Sequence, residues 1–203
     1  MPDNNSFSEK TISHDPFDQF GKWYSEHLNA GIEIPDAVTL ATSANDGRVS
    51  ARTVLMKEYG PGGFIFYTNY TSRKGTQLSS NPYAALLFYW PESGRQVRVE
   101  GITEKLSVEA SVQYFRIRPR ESQIAACSSD QSAVIPDRSY LDARFESNSK
   151  KFAGKDVVKP EQWGGFRLIP DWFEFWQNGE FRLHDRLAYR KTDSSWIIER
   201  LAP

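Results

Sequence analysis

Three β-forming runs, joined by connections too short to hold a helix, open the body of this chain. Ala37 to Ser43 reads as a strand, Asn45-Asp46-Gly47 as a hairpin turn and Val49 to Lys57 as a second strand. Gly60-Pro61-Gly62-Gly63 is another turn and Phe64 to Thr68 a third strand. Parallel neighbours would need a crossover of about a dozen residues, so the spacing predicts antiparallel pairing. A short helix over Ser72 to Ser80, closed by Asn81-Pro82, leads to strands at Tyr83 to Trp90 and Gln96 to Thr103. Phe166 to Ile169, Trp172 to Trp176, Phe181 to Arg190 and Trp196 to Leu201 are read as the closing strands.

The helices fall around this β text. Asp15-Pro16 reads as an N-cap followed by Pro at the first helical position. Phe17, Phe20, Trp23, Tyr24 and Leu28 then recur at helical spacing, with Gly31 as a stop. Ser107 caps a helix that ends near Arg118, because Pro119 disfavours helix in its predecessor. Residues 119 to 135 read as a polar loop, and Asp137 to about Phe152 as a helix. The expected fold is mainly β, an antiparallel barrel with peripheral helices over residues 15–203, behind a polar, mobile tail at 1–14.

Composition narrows the function classes. The net charge of −1 gives no bulk case for nucleic acid or an anionic membrane, so any basic site must be local. Aromatics make up 14% of the chain, including six Trp, and such surface suits flat ligands. One cysteine, Cys127, cannot form an internal disulfide, which fits a reducing compartment. The N-terminus has neither a signal-peptide nor a transit-peptide pattern, no run reaches membrane-span length, and a soluble cytoplasmic protein is expected. His14, His27 and His184 are far apart, and neither CxxC, HExxH nor G-x-S-x-G occurs.

Several constellations suit anions. In Arg52-Thr53-Val54-Leu55-Met56-Lys57, alternation puts the two cations on opposite faces, so they serve two groups unless the strand bulges. At Tyr67 to Lys74 a strand ends and a helix begins, so free N–H groups, hydroxyls and the adjacent Arg73 and Lys74 converge as a phosphate monoester requires. An ordinary solvated helix start would carry the same text. Tyr114 and Arg118 share a helix face, and Ser122 follows; a basic helix end would look alike. The polar run Ser128 to Ser132 offers amide and hydroxyl contacts. Arg182, His184 and Arg186 at alternate positions of one expected strand would share a face, an arrangement that favours an intervening anion or a solvated edge. No P-loop or G-x-G-x-x-G is present.

Taken together, the segments resemble the pyridoxine 5′-phosphate oxidase (pyridoxamine-phosphate oxidase) family. The matching text is R-T-V-L-M-K at 52–57, F-Y-T-N-Y-T-S-R-K at 66–74, R-Q-V-R-V-E-G at 95–101, Y-F-R-I-R-P-R-E-S-Q-I at 114–124, Q-S-A-V-I at 131–135, W-G-G-F-R at 163–167, E-F-W-Q-N-G-E-F-R-L-H-D-R at 174–186 and the terminal R-L-A-P. The resemblance implies a split β-barrel homodimer with FMN in the interface. The family's FMN positions match Arg52, Thr53, Val54, Leu55, Lys57, Tyr67, Thr68, Arg73, Lys74, Gln96, Gln131, Ser132, Trp176 and Arg186. Its substrate-phosphate positions match Lys57, Tyr114, Arg118 and Ser122. Arg182, Leu183 and His184 match the segment that holds the substrate, with Arg182 and His184 the catalytic candidates over the flavin. Arg52 would thus serve the flavin phosphate and Lys57 the substrate phosphate, with no bulge required.

The implied reaction oxidises pyridoxine 5′-phosphate or pyridoxamine 5′-phosphate to pyridoxal 5′-phosphate, with dioxygen as acceptor and hydrogen peroxide as product, plus ammonia from the amine. No metal is implied. Ala125, Cys127 and Asp130 depart from the family's usual Gly, Trp and basic residue. A phenazine-pathway-like flavin oxidase of another aromatic, or a non-catalytic flavin or pyridoxal phosphate binding module, are the competing readings.

Overall fold

The computed structural model describes residues 7–203. In chain order the elements are α1 (Pro16–Leu28), β1 (Ala37–Ser43), β2 (Val49–Gly60), β3 (Gly63–Asn69), α2 (Arg73–Ser80), β4 (Tyr83–Trp90), β5 (Arg95–Lys105), α3 (Val108–Ile117), α4 (Arg120–Ser128), α5 (Arg138–Lys151), β6 (Trp163–Gln177), β7 (Asp185–Lys191) and β8 (Trp196–Arg200). The strands lie in the order β3-β2-β1-β4-β5-β6-β7-β8, and an added β3–β6 pairing closes the first six into an antiparallel split barrel.

The length of β6 makes closure possible. Its first half pairs with β3, from Trp163↔Asn69 to Leu168↔Phe64, and its second half with β7, from Trp172↔Arg190 to Gln177↔Asp185. The register against β5 slips at Pro170, whose missing N–H is tolerated at a bulge. The two strands expected at 166–169 and 172–176 are therefore one strand bent at Pro170-Asp171.

Inward positions of the strands supply Phe64, Phe66, Phe88, Val97, Val99, Phe173 and Phe175, all buried. Helix α1 starts where expected: the Asp15 carboxylate accepts from the N–H groups of Phe17 and Asp18. Its apolar face places Phe20, fully buried, edge-on to Tyr59, Phe64 and Phe88.

Three expectations are corrected. The expected loop at 119–135 contains α4, because Ile124 buries in the smaller core and Ser128, one helical turn on, buries against Asn148 of α5. The strand expected to begin at Phe181 begins at Asp185. Phe181 and Arg182 have φ of 56° and 65°, left-handed values that no strand accommodates. Of the expected mobile tail, residues 7–14 are anchored: Ile12 is buried, Phe7 packs on Trp23, and the Tyr189 hydroxyl donates to the Ser13 carbonyl at 2.5 Å. Residues 1–6 of that expectation lie outside the described residues. No helix among the described residues is long and apolar enough to cross a membrane.

Candidate active site

A cavity of about 770 Å³ lies where the barrel meets α2, α3 and α4. Strand β2 contributes Thr53, Val54, Leu55 and Lys57, and β3 contributes Tyr67 and Thr68. Lys74 enters from α2, Tyr114 from α3, Arg118 from the turn after it, Ser122 from α4 and Gln131 from the next loop. The four residues expected at a substrate phosphate, Lys57, Tyr114, Arg118 and Ser122, thus meet in one space. Ser122 stands in the first turn of α4 and lines the same cavity as Arg118.

Arg118 lies with its guanidinium carbon 4.7 Å from the Trp163 ring centroid. Its Nη1 is buried and has no hydrogen-bond partner among the described residues. Burial holds this guanidinium below the ordinary arginine value, although the nearby Tyr114 and Cys127 oppose the shift. An unsatisfied buried cationic donor is costly, and an anion would satisfy it. Lys57 pairs with Asp36 at 2.5 Å. It projects away from the side of β2 that buries Val54 and Met56, whereas Arg52 shares that side, so the two cations stand on opposite faces. A bulge does occur at Lys57, between Met56 and Glu58.

A second group of cations gathers at the start of α2. Arg52 donates to the Thr42 hydroxyl at 2.7 Å and the Leu40 carbonyl at 3.1 Å. Burial and then the charge of Arg73 hold Arg52 below its ordinary value; burial and then Arg52 do the same to Lys74. Among the described residues, none of Arg52, Arg73 and Lys74 pairs with a carboxylate. The Lys74 ammonium donates to Gln131 Oε1 at 2.8 Å and Thr68 Oγ1 at 3.1 Å, and the Arg73 N–H to Ser132 Oγ at 3.2 Å. Ser132 has a φ of 75°, which turns this loop back onto the helix start. Asp130, the charge departure beside it, forms an ion pair with Arg144 of α5 and so leaves the cationic cluster alone.

The remaining expected residues lie elsewhere. Gln96, Trp176, His184 and Arg186 line a separate cavity of about 250 Å³ with Arg98, Glu174 and Pro203. His184 Nδ1 accepts from the Gly179 N–H at 3.2 Å, and its ring lies 4.6 Å from that of Trp176. Arg182 and Leu183 stand exposed on the loop before β7 and line neither cavity. The single strand face expected for Arg182, His184 and Arg186 does not exist, because the left-handed residues precede the strand.

Comparison with known proteins identifies the family. The pyridoxamine 5′-phosphate oxidase family profile matches residues 24–150, and that of the pyridoxine 5′-phosphate oxidase C-terminal dimerisation region matches 163–203. The chain belongs to the pyridoxamine 5′-phosphate oxidase family. It is 50% identical to the pyridoxine/pyridoxamine 5′-phosphate oxidase of Burkholderia lata over 201 residues, covering 98% of this chain and 94% of that one. Identity to the enzyme of the same name from Acaryochloris marina is 47% over 195 residues, 96% of this chain and 89% of that one. Among solved structures, PhzG from Burkholderia lata 383, in complex with tetrahydrophenazine-1-carboxylic acid, superposes with a TM-score of 0.91 at 30% identity, covering 98% of both chains. A pyridoxamine 5′-phosphate oxidase-related, FMN-binding protein from Nostoc punctiforme shares the fold at a TM-score of 0.73 and 16% identity, covering 94% of this chain and 99% of that one.

Trp163 was not singled out from the sequence as a site residue. It lies nearly parallel to Tyr67 at 5.4 Å, and Tyr67 in turn stacks on Tyr114 at 3.8 Å. The signal was the Gly164-Gly165 pair that follows it. A Cβ at Gly164 would fall 2.1 Å from the Tyr70 hydroxyl, and one at Gly165 2.5 Å from Leu106 and 2.9 Å from Tyr67, so only glycine lets β6 approach this closely. Burial, then the neighbouring Tyr114, Glu58 and Tyr70, push Tyr67 from 10.0 up to about 12. The unfolded chain ionises this phenol first, so stability is complete below pH 10.0 and falls as pH rises from there to about 12. Urea midpoints across that window will fall less steeply for Tyr67→Phe than for the parent; equal slopes would contradict the assignment.

Proposed function

We propose that this chain is an FMN-dependent oxidase that converts pyridoxine 5′-phosphate or pyridoxamine 5′-phosphate to pyridoxal 5′-phosphate, with dioxygen as the final acceptor. The observation that carries the reading is the buried, unpartnered Nη1 of Arg118, in one cavity with Lys57, Tyr114 and Ser122. A phosphate monoester offers acceptors to all four. The second cationic group, Arg52, Arg73 and Lys74, has no carboxylate partner among the described residues and fits a second phosphate, that of FMN.

When bound, FMN supplies the two-electron acceptor that takes hydride from the substrate's exocyclic carbon and is reoxidised by dioxygen to give hydrogen peroxide. The protein's part is placement. Arg118, Lys57, Tyr114 and Ser122 hold the phosphate remote from the reacting carbon, and that binding energy fixes the ring's position. His184, held by the Gly179 N–H and the Trp176 ring, and Arg182 on its left-handed turn present cationic or polar groups to the substrate oxygen or nitrogen.

A second copy completes the site in this reading. Of the flavin-assigned residues, Gln96, Trp176 and Arg186 line a different cavity from Tyr67, Thr68, Lys74 and Gln131, and a second copy brings the two sets to one flavin across an interface. The outer sheet face between the cavities carries Leu55, Tyr83, Tyr89 and Ile102, each at least 40% exposed, a surface suited to burial in a homodimer. Residues 163–203 match the family's dimerisation region.

The likeness to PhzG favours a second reading, oxidation of an unphosphorylated aromatic. The two separate in one experiment. Anaerobic addition of pyridoxine 5′-phosphate to the FMN-loaded protein will bleach the flavin absorbance within turnover time, whereas unphosphorylated pyridoxine will do so far more slowly. Equal bleaching by both would remove the phosphate from the argument, and bleaching by neither would remove the vitamer.

A further inference from the structure

Glu174 is an acid in an apolar stretch of β6. Its neighbours Phe173 and Phe175 point into the core, and Glu174 points to the opposite face yet is only 4% exposed. Burying a carboxylate costs several kcal/mol unless charge and hydrogen bonds compensate. Two guanidiniums do so. Arg186 Nε on β7 donates to Glu174 Oε1 at 2.7 Å, and Arg98 Nη2 on β5 donates to Oε2 at 2.6 Å. Arg98 is the direct cross-strand partner of Glu174, so the carboxylate spans three adjacent strands.

The consequence falls on Arg186. Its Nε is committed to Glu174 and its Nη1 to the Ala202 carbonyl at 2.7 Å. Nη2 makes no hydrogen bond among the described residues, and the side chain lines the cavity shared with Gln96, Trp176 and His184. Two fixed nitrogens of a planar fork fix the direction of the third. Arg98 is held a second time, its Nε 3.2 Å from a Glu100 carboxylate oxygen.

We propose that Glu174 is a positioning residue of the cofactor site, which aims the open edge of Arg186 at the flavin. The inference rests on the FMN reading above. Glu174→Gln preserves shape but offers one acceptor oxygen where two guanidiniums each need one, so one contact is lost.

The test is a double-mutant cycle on the full chain, with FMN affinity read by quenching of flavin fluorescence and the fold of each apoprotein by thermal unfolding. Glu174→Gln will weaken FMN binding about 10-fold when Arg186 is present, and less than about 2-fold in the Arg186→Met background. An unchanged affinity, or an equal loss in both backgrounds, would overturn the assignment. Should Glu174→Gln not fold, Glu174→Asp, one methylene short of bridging both arginines, enters the same cycle with the same expectation. A parent protein that takes up no FMN would instead bring down the functional reading itself, while a parent that binds FMN beside an indifferent Glu174→Gln would bring down this inference alone.

Discussion

Arg118→Ala will raise the KM for pyridoxine 5′-phosphate by roughly 100-fold, while kcat falls by less than about 10-fold. Charge-assisted hydrogen bonds to a phosphate contribute about 1.5–3 kcal/mol each, and Arg118 has its Nη1 in reserve for one. The loss is uniform, felt by bound substrate and transition state alike, because the phosphate does not react. Arg118→Lys will recover only part of it, since an ammonium keeps the charge but not the fork. Turnover of unphosphorylated pyridoxine, slow in both proteins, is the control. The guanidinium also packs over Trp163 and Phe115, so a collapse of that stack would depress both substrates equally. Equal losses would therefore refute a phosphate role, and an unchanged KM would refute a substrate role altogether.

The barrel was legible because alternation is a local signal. Strand β4 was read to the residue and β1 likewise, since each is short and bounded by turn chemistry. The misreadings share a cause: backbone states the residue types do not announce. Phe181 and Arg182 adopt left-handed φ with no glycine to mark it, so alternate basic residues looked like a strand face. Such a turn is strained and persists only where packing over-determines it, which is where active sites tend to put it. Pro119 ended one helix and started the next, and a polar text hid α4. The separation of Gln96, Trp176 and Arg186 from the flavin candidates on β2, β3 and α2 could not be read from the chain, because it depends on which strands become neighbours, and β5, β6 and β7 gather the first group into a cavity of their own. Glu174 sat inside a quoted motif, yet its burial arises from arginines on two other strands.

Lys74→Met will weaken FMN binding by about 100-fold and at the same time raise the Tm of the apoprotein by about 2–4 °C, the shift that about 1 kcal/mol gives a chain of this size. The opposite signs follow from one arrangement. Arg52, Arg73 and Lys74 crowd the N-terminal end of α2, where the helix dipole already opposes positive charge. No carboxylate among the described residues offsets them, and mutual repulsion together with burial holds Arg52 and Lys74 below their ordinary values. The apoprotein bears that repulsion, and a bound phosphate reverses its sign. Removing one cation relieves the first state and impoverishes the second. Thr68 and Gln131 remain bonded to each other at 3.1 Å, so the pocket wall survives the change. Because the depressed Lys74 sheds its proton earlier in the folded than in the unfolded chain, apoprotein stability will climb as pH rises through its folded value toward 10.5, and the variant will lack that gain. Fluorescence titration with FMN and thermal unfolding of the apoproteins check both signs together. A variant that loses stability along with FMN would show that Lys74 is a structural ammonium, held for Gln131 and Thr68 and not for an anion.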